Sequence, residues 1–396
     1  MLTIGSLPSL RGIAEELVLG DTSGQLILFS FPSKQVWLKW QEYFIAAMDA
    51  CLGENGRGAL YDGIISMDPS SENPQNDLAE KLAFDDPRFD ELLASYGNDP
   101  PIVLELDCDG RLDQAWQSFL SDTAKYYKTN DSAYSKRSIC LFLISPPQIQ
   151  PIEAAPGVRC FAFWNPLQWE EIRLLIGANI DQSDNAISKA WIVSTYAGAA
   201  NLDPEVIGKL LQREPRSLRD VREIVSTYCD GCKNEKEVSK NFSSLTEEKR
   251  WDVPQELSTP WLQGKLHGHT FNRGDNIPWE KCCESFKKTT LDRAVWREQV
   301  AGIFPLLMEI TAISSEKITQ IKGEKWKEEC LDTTEPGKIL DVFHERNLIG
   351  RLPKKLYDLL QNLRISRNKL AHLEPVDFRD VSQIWSLFEQ ISKTNS

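Results

Sequence analysis

At 396 residues, with 41% hydrophobic and 26% charged side chains, the chain has the composition of a soluble globular protein of two or three domains, not of a disordered one. Its net charge of −13 is uneven: residues 280–396 carry 19 Lys+Arg against 18 Asp+Glu, which leaves −14 on residues 1–279. That acidic part is excluded as a general nucleic-acid surface because it repels the phosphate backbone, whereas the near-neutral C-terminal part can still grip RNA locally.

Arg11, Glu15 and Glu16 precede any apolar run, so no secretory signal is visible. The longest apolar runs, such as Ile139–Ile144, have the length of strands and cannot span a bilayer. Nine cysteines, an odd number, read as reduced thiols. The expectation is a cytoplasmic protein with no membrane partner.

In chain order, Leu26–Phe31 reads as a buried strand, followed by the turn Pro32-Ser33-Lys34-Gln35. A long helix comes next, with Trp37, Trp40, Phe44, Ile45 and Met48 on one face. Further strands are expected at 58–67, 102–106, 139–144 and 158–163, and a helix at 168–176. Five short apolar strands separated by helices argue for a parallel sheet covered on both faces. Helices follow at 184–196, 204–211 and 217–228, the last opened by Arg216-Ser217-Leu218-Arg219.

This order, an α/β core and then a small helical bundle opened by Arg-Ser-Leu-Arg, resembles AAA+ domains with their helical lids. The resemblance covers about 220 residues and rests on order and shape. The phosphate-binding loop of that family needs Gly-x4-Gly-Lys-Ser/Thr, because glycine amides must approach the phosphates and the hydroxyl must reach magnesium. Here Lys34 stands in roughly the right place, but the glycines and the hydroxyl are missing, and Pro32 removes a donor. The resemblance then implies a nucleotide-binding fold that has lost ATP hydrolysis, with no cofactor expected.

Glu105-Leu106-Asp107-Cys108-Asp109-Gly110 ends the third strand and reads as a solvated loop or a Walker-B-like acidic strand end. It also resembles the Asp-x-Asp-Gly motif of haloacid-dehalogenase-type phosphatases, with Asp107 as nucleophile and Asp109 as acid/base. Arg111 stands where that family has Thr, and the motif starts far from the N-terminus. Residues 231–280 read as a linker or docking segment broken by prolines and glycines. Cys229-x2-Cys232 has zinc spacing, but its second half, His267-x-His269 with Cys282-Cys283, is poor. Separate thiols are expected, and no metal.

From residue 281 the pattern is helical, with helices at 281–289, 291–321, 337–347, 353–373 and 377–392. Leu356, Leu359, Leu360 and Leu363 form an apolar stripe, and its register carries on to Arg367. A guanidinium on such a stripe needs an anion. Asn368 and His372, four apart, share a neighbouring strip. One turn therefore presents a fixed cation, an amide and a group that titrates near neutrality.

Arg367-Asn368-Lys369-Leu370-Ala371-His372 resembles the Arg-x4-His signature of the HEPN superfamily, all-helical domains found in many metal-independent ribonucleases. Glu374 stands where the nucleotidyltransferase-paired toxins carry Tyr, so the chain does not resemble that subgroup. The resemblance implies Arg367, Asn368 and His372 as catalytic residues, an RNA substrate, and two copies meeting with these helices face to face. The expected fold class is an α/β N-terminal domain (1–180) with a helical lid (181–230), a linker (231–280) and an all-α HEPN-like bundle (281–396). The expected function is RNA cleavage in an antiphage or toxin-type setting, regulated through the N-terminal domain. The alternative is a non-catalytic scaffold that binds a regulatory protein partner. A front domain that senses a cyclic oligonucleotide is disfavoured by its −14 charge.

Overall fold

The computed structural model describes residues 3–227 and 288–393, apart from segments 20–24, 32–33, 57–59, 61–62, 95–98, 130–135, 147–157, 164–166, 168, 182, 201–202, 323–334 and 347–351. The chain divides into two compact units: residues 2–168 with 235–282, and residues 169–234 with 283–396. Among the described residues no helix is long and apolar enough to cross a membrane.

The first unit is α/β. Its parallel sheet of five strands has the order β2-β3-β4-β1-β5, formed by β1 (Leu26–Phe31), β2 (Ile65–Met67), β3 (Ile102–Asp107), β4 (Ile139–Ile144) and β5 (Val158–Ala162). β1 and β4 are buried along their whole length, as continuous apolar strands between two helical layers must be. Leu26 lies level with Ile139 on one side and Val158 on the other. The described helices are α1 (Pro8–Val18), α2 (Lys34–Glu54), α3 (Pro74–Lys81), α4 (Phe89–Leu92) and α5 (Gln114–Thr129).

The two faces of the sheet are packed differently. Phe29, Phe31 and Phe142 meet Trp37 and Phe44 of α2, with Phe31 stacked on Phe163 at 4.7 Å. Leu28, Leu104, Leu141 and Leu143 form an aliphatic core with Leu78 of α3 and Trp116 and Leu120 of α5. The strand expected at 58–67 covers only Ile65–Met67, and most of its first half lies outside the described residues.

The second unit is helical: α6 (Trp169–Asn179), α7 (Ala186–Ala200), α8 (Pro204–Arg213), α9 (Leu218–Ser226), α10 (Lys288–Gly302), α11 (Phe304–Lys322), α12 (Pro336–Glu345), α13 (Lys354–Ala371) and α14 (Phe378–Lys393). Two sequence expectations differ from this. Residues 181–230 and 281–396 were separated as lid and bundle, yet they share one core, and α6 belongs with them instead of with the sheet. The single helix expected at 291–321 is two, broken at Ile303, because Pro305 has no N–H to give the Ala301 carbonyl and its ring crowds that carbonyl.

The shared core forms around α7, where Ile187, Trp191, Ile192 and every residue from Ser194 to Ala200 are buried. A helix buried all round suits an interior position. Its small residues let α10 approach closely: a Cβ on Gly198 would lie 2.6 Å from Val295 Cα. Backbone cannot yield there as a flexible side chain could. Gly198→Ala is therefore expected to destabilise the helical unit by about 1–3 kcal/mol. Thermal unfolding followed by circular dichroism checks this, and an unchanged midpoint would refute the close packing.

Candidate functional site

α13 carries the Arg-x4-His run. Pro353 precedes its first turn, and no glycine or proline interrupts it before Pro375. Leu356, Leu359, Leu360, Leu363 and Leu370 are buried, and α13 packs on α10, α11, α12 and α14. Each such leucine contributes about 1.5–3 kcal/mol by leaving water. An apolar stripe of this kind needs a partner surface. Within the unit the stripe is already covered.

The helix stops at His372, whose N–H bonds to the carbonyls of Asn368 and Lys369. Leu373 takes a left-handed φ of 63°, and the Glu374 N–H returns to the Lys369 carbonyl. This is a Schellman ending with leucine in place of the usual glycine, at some steric cost. The Trp296 indole of α10 donates to the Leu370 carbonyl at 2.5 Å, satisfying another group at the helix end.

Next comes a clasp. Gln299, fully buried on α10, donates to the Val376 carbonyl (3.0 Å) and the Thr195 hydroxyl (2.8 Å), and accepts from the Val376 N–H (2.7 Å). Trp191 also donates to the Val376 carbonyl at 2.7 Å. Asp377 accepts from the Leu218 N–H, and Arg216, paired with Asp184 at 2.9 Å, lies over the Phe378 ring. The Arg-Ser-Leu-Arg element therefore grips the turn that follows the Arg-x4-His run.

Arg367, Asn368 and His372 occupy the last turns of α13. The side chains of Asn368 and His372 are exposed. Arg367 is half-buried, and its Nη2 donates to Glu335 Oε1 at 2.8 Å across to the start of α12. Its Nε is buried and has no hydrogen-bond partner among the described residues. Lys369 is tied to Asp380 (2.7 Å), and Arg364 reaches Asp341 at 3.5 Å. Exposed Ile365 and Leu373 flank Asn368 and His372.

In the α/β unit, Lys34 Nζ is 2.8 Å from Asp107 Oδ2 at the end of β3. That bond is the main cause holding the Lys34 ammonium above its ordinary pKa. Glu105 accepts from the Trp37 indole (2.7 Å) and from Gln41 (3.2 Å). Asp109 and Gly110 form a turn with left-handed φ, anchored by Gly110 N–H to the Ser145 carbonyl. Burial pushes the Cys108 thiol up to about 12, which keeps it a protonated, unreactive group at neutral pH. Pro32, Ser33 and the candidate zinc residues Cys229, Cys232, His267, His269, Cys282 and Cys283 lie outside the described residues. Among the described residues no His/Cys/Asp/Glu group is arranged to hold a metal ion.

No family model and no curated protein sequence matches this chain. Two solved structures of RuvB variants from Thermotoga maritima share 15% and 16% identity with it. They cover 55% and 57% of this chain and 64% and 67% of their own, with TM-scores of 0.31 and 0.30. A likeness at that level carries no inference.

Two residues at this site escaped the sequence reading. Glu335 is separated from Arg367 by 31 residues, and an acidic residue beside Pro336 looks like an ordinary helix start. Gln299 has no motif around it; the one available signal is an amide within the apolar pattern Val295–Ile303. Gln299→Leu strips the Val376 N–H of its acceptor, so a loss of about 2–3 kcal/mol is expected. Urea unfolding measures it, and a midpoint equal to that of the parent protein would deny the clasp its energetic role.

Proposed function

We propose that this protein is a metal-independent RNA endonuclease of HEPN type, working as an effector in a prokaryotic antiphage or toxin-type system. Its AAA+-like α/β unit regulates it without hydrolysing nucleotide. The observation that carries this reading is the placement of Arg367, Asn368 and His372 together on the closing turns of α13. Asn368 and His372 are open to solvent there, and the helix end beneath them is fixed by Trp296 and the Leu373 turn.

The chemistry follows from the residue types. The ribose 2′-oxygen attacks the adjacent phosphorus, a P–O2′ bond forms, and the P–O5′ bond breaks to leave a 2′,3′-cyclic phosphate. One imidazole accepts the 2′-hydroxyl proton or gives a proton to the departing 5′-oxygen. A pair of His372 side chains from two copies supplies both roles. Arg367 holds the phosphate and stabilises charge developing on its oxygens, and Asn368 hydrogen-bonds the phosphate or orients the histidine. Exposed Ile365 and Leu373 beside this strip suit a second copy of the chain.

A second reading has its own observation. Arg367 is paired with Glu335 inside one chain, as a structural arginine would be. In that case the protein is a scaffold whose acidic front half docks a regulatory partner.

In the α/β unit, Asp107 takes the Lys34 ammonium that a phosphate would need, and the glycine cradle is missing from the sequence. Calorimetry with ATP and magnesium is expected to give no micromolar binding; a micromolar dissociation constant would refute the nucleotide-free reading and leave a unit that binds without hydrolysing.

His372→Ala and Arg367→Ala are each expected to lower RNA cleavage by on the order of 100-fold or more in the presence of EDTA, with thermal midpoints unchanged. Arg367→Lys is not expected to rescue, since an ammonium lacks the planar fork. Intact RNA with the parent protein, together with variants that only lose stability, favours the scaffold.

A further inference from the structure

Arg367 uses its guanidinium incompletely. One Nη2–H donates to a single oxygen of Glu335, while the buried Nε–H has no partner among the described residues. A planar guanidinium engages a phosphate most strongly through two parallel N–H donors, and Nε with one terminal nitrogen makes such a fork. The contact with Glu335 is thus a partial substitute for a phosphate contact.

Glu335 is free to leave. It stands at the N-cap of α12, yet its side chain makes no capping hydrogen bond, and it is 37% exposed. Its other ionic neighbour is Lys338, at 3.8 Å. The cap position is held by backbone alone, the Ile339 N–H bonding to the Glu335 carbonyl. An amide here would forfeit no capping hydrogen bond, only the carboxylate's favourable charge near the helix N-terminus and its exposed pair with Lys338.

We propose that Glu335 is an internal counter-anion seated on Arg367 in the place of the RNA phosphate. It sets how tightly the site takes a phosphodiester, and binding requires its displacement. This rests on the endoribonuclease reading above and deepens it. The surroundings sharpen the effect: among these described residues Arg364, Arg367 and Lys338 already outnumber Glu335 and Asp341 by one charge, and withdrawing Glu335 leaves three cations against one carboxylate. Arg364 keeps Asp341 throughout, which makes Asp341 the control for charge alone.

The test uses the full chain and a 2′-O-methyl oligoribonucleotide, which has no free 2′-hydroxyl to attack and so reports binding without cleavage. In fluorescence anisotropy at about 0.1 M salt, Glu335→Gln is expected to bind about three- to tenfold more tightly than the parent protein. Asp341→Asn removes the same charge, and a gain of less than about twofold is expected because its partner is Arg364, one turn earlier. Adding Arg367→Ala to Glu335→Gln is expected to abolish the gain. Circular dichroism of each variant checks that the helices are intact.

Equal affinity of Glu335→Gln and parent protein, an equal gain from Asp341→Asn, or a gain that survives loss of Arg367 overturns the proposal. If the parent protein binds RNA through Arg367 but Glu335→Gln adds nothing, this inference alone fails. If neither binds RNA, the endoribonuclease reading fails and takes the inference with it.

Discussion

The helical unit depends on one close approach of two backbones. Where Gly198 of α7 faces Val295 of α10 there is no room for a side chain, and Gly302 repeats the condition against Ser194, with a would-be Cβ at 3.3 Å. Only at that spacing can the Gln299 amide reach both the Thr195 hydroxyl and the Val376 backbone. Val376 fixes the turn after α13, and Trp296 of the same helix fixes the carbonyl of Leu370. The placement of Asn368 and His372 thus depends on two glycines, Gly198 and Gly302, that are remote from them in the sequence. Packing of this kind transmits displacement poorly by bending and well by discrete rearrangement.

A parallel constraint governs the α/β unit. Continuous apolar strands force charge to their ends, and there the acidic residues of β3 find donors from α2: Lys34 for Asp107, Trp37 and Gln41 for Glu105. Asp107 is paired and Glu105 hydrogen-bonded, yet with Asp109 nearby the single Lys34 ammonium faces three carboxylates. An exposed pair such as Lys34–Asp107 adds little stability. Its consequence is chemical: Lys34, near the end of β1, already has a carboxylate partner.

Much of the fold was legible in the sequence because it depends on local pattern. The runs Leu26–Phe31 and Ile139–Ile144 are strands to the residue, and the helices at 204–211 and 353–373 appear with small shifts at their ends. What escaped was non-local. Nothing in the composition signals that the helices up to Ser226 and those from Lys288 onward share a core. The small residues of Ala197-Gly198-Ala199-Ala200 read as an ordinary helical stretch, although they are what lets α10 in. At the candidate site, the position of Arg367 at the end of an apolar stripe was readable, and so was its need for an anion. Which anion answers that need was not, because ion pairing joins residues by distance in space and leaves no period in the sequence.

The arginine therefore poses an electrostatic problem. Leu363 and Leu370 are fully or almost fully buried, and Arg367 between them inherits part of that dry environment while keeping its charge. Something anionic must stand against it. Glu335 answers that need with a single oxygen, and among the described residues the Arg367 Nε is left without a partner. An unmade buried donor is not peculiar to this arginine, since Arg216 Nη1 is left in the same way. What sets Arg367 apart is its place, at the end of the apolar stripe and beside the exposed Asn368 and His372.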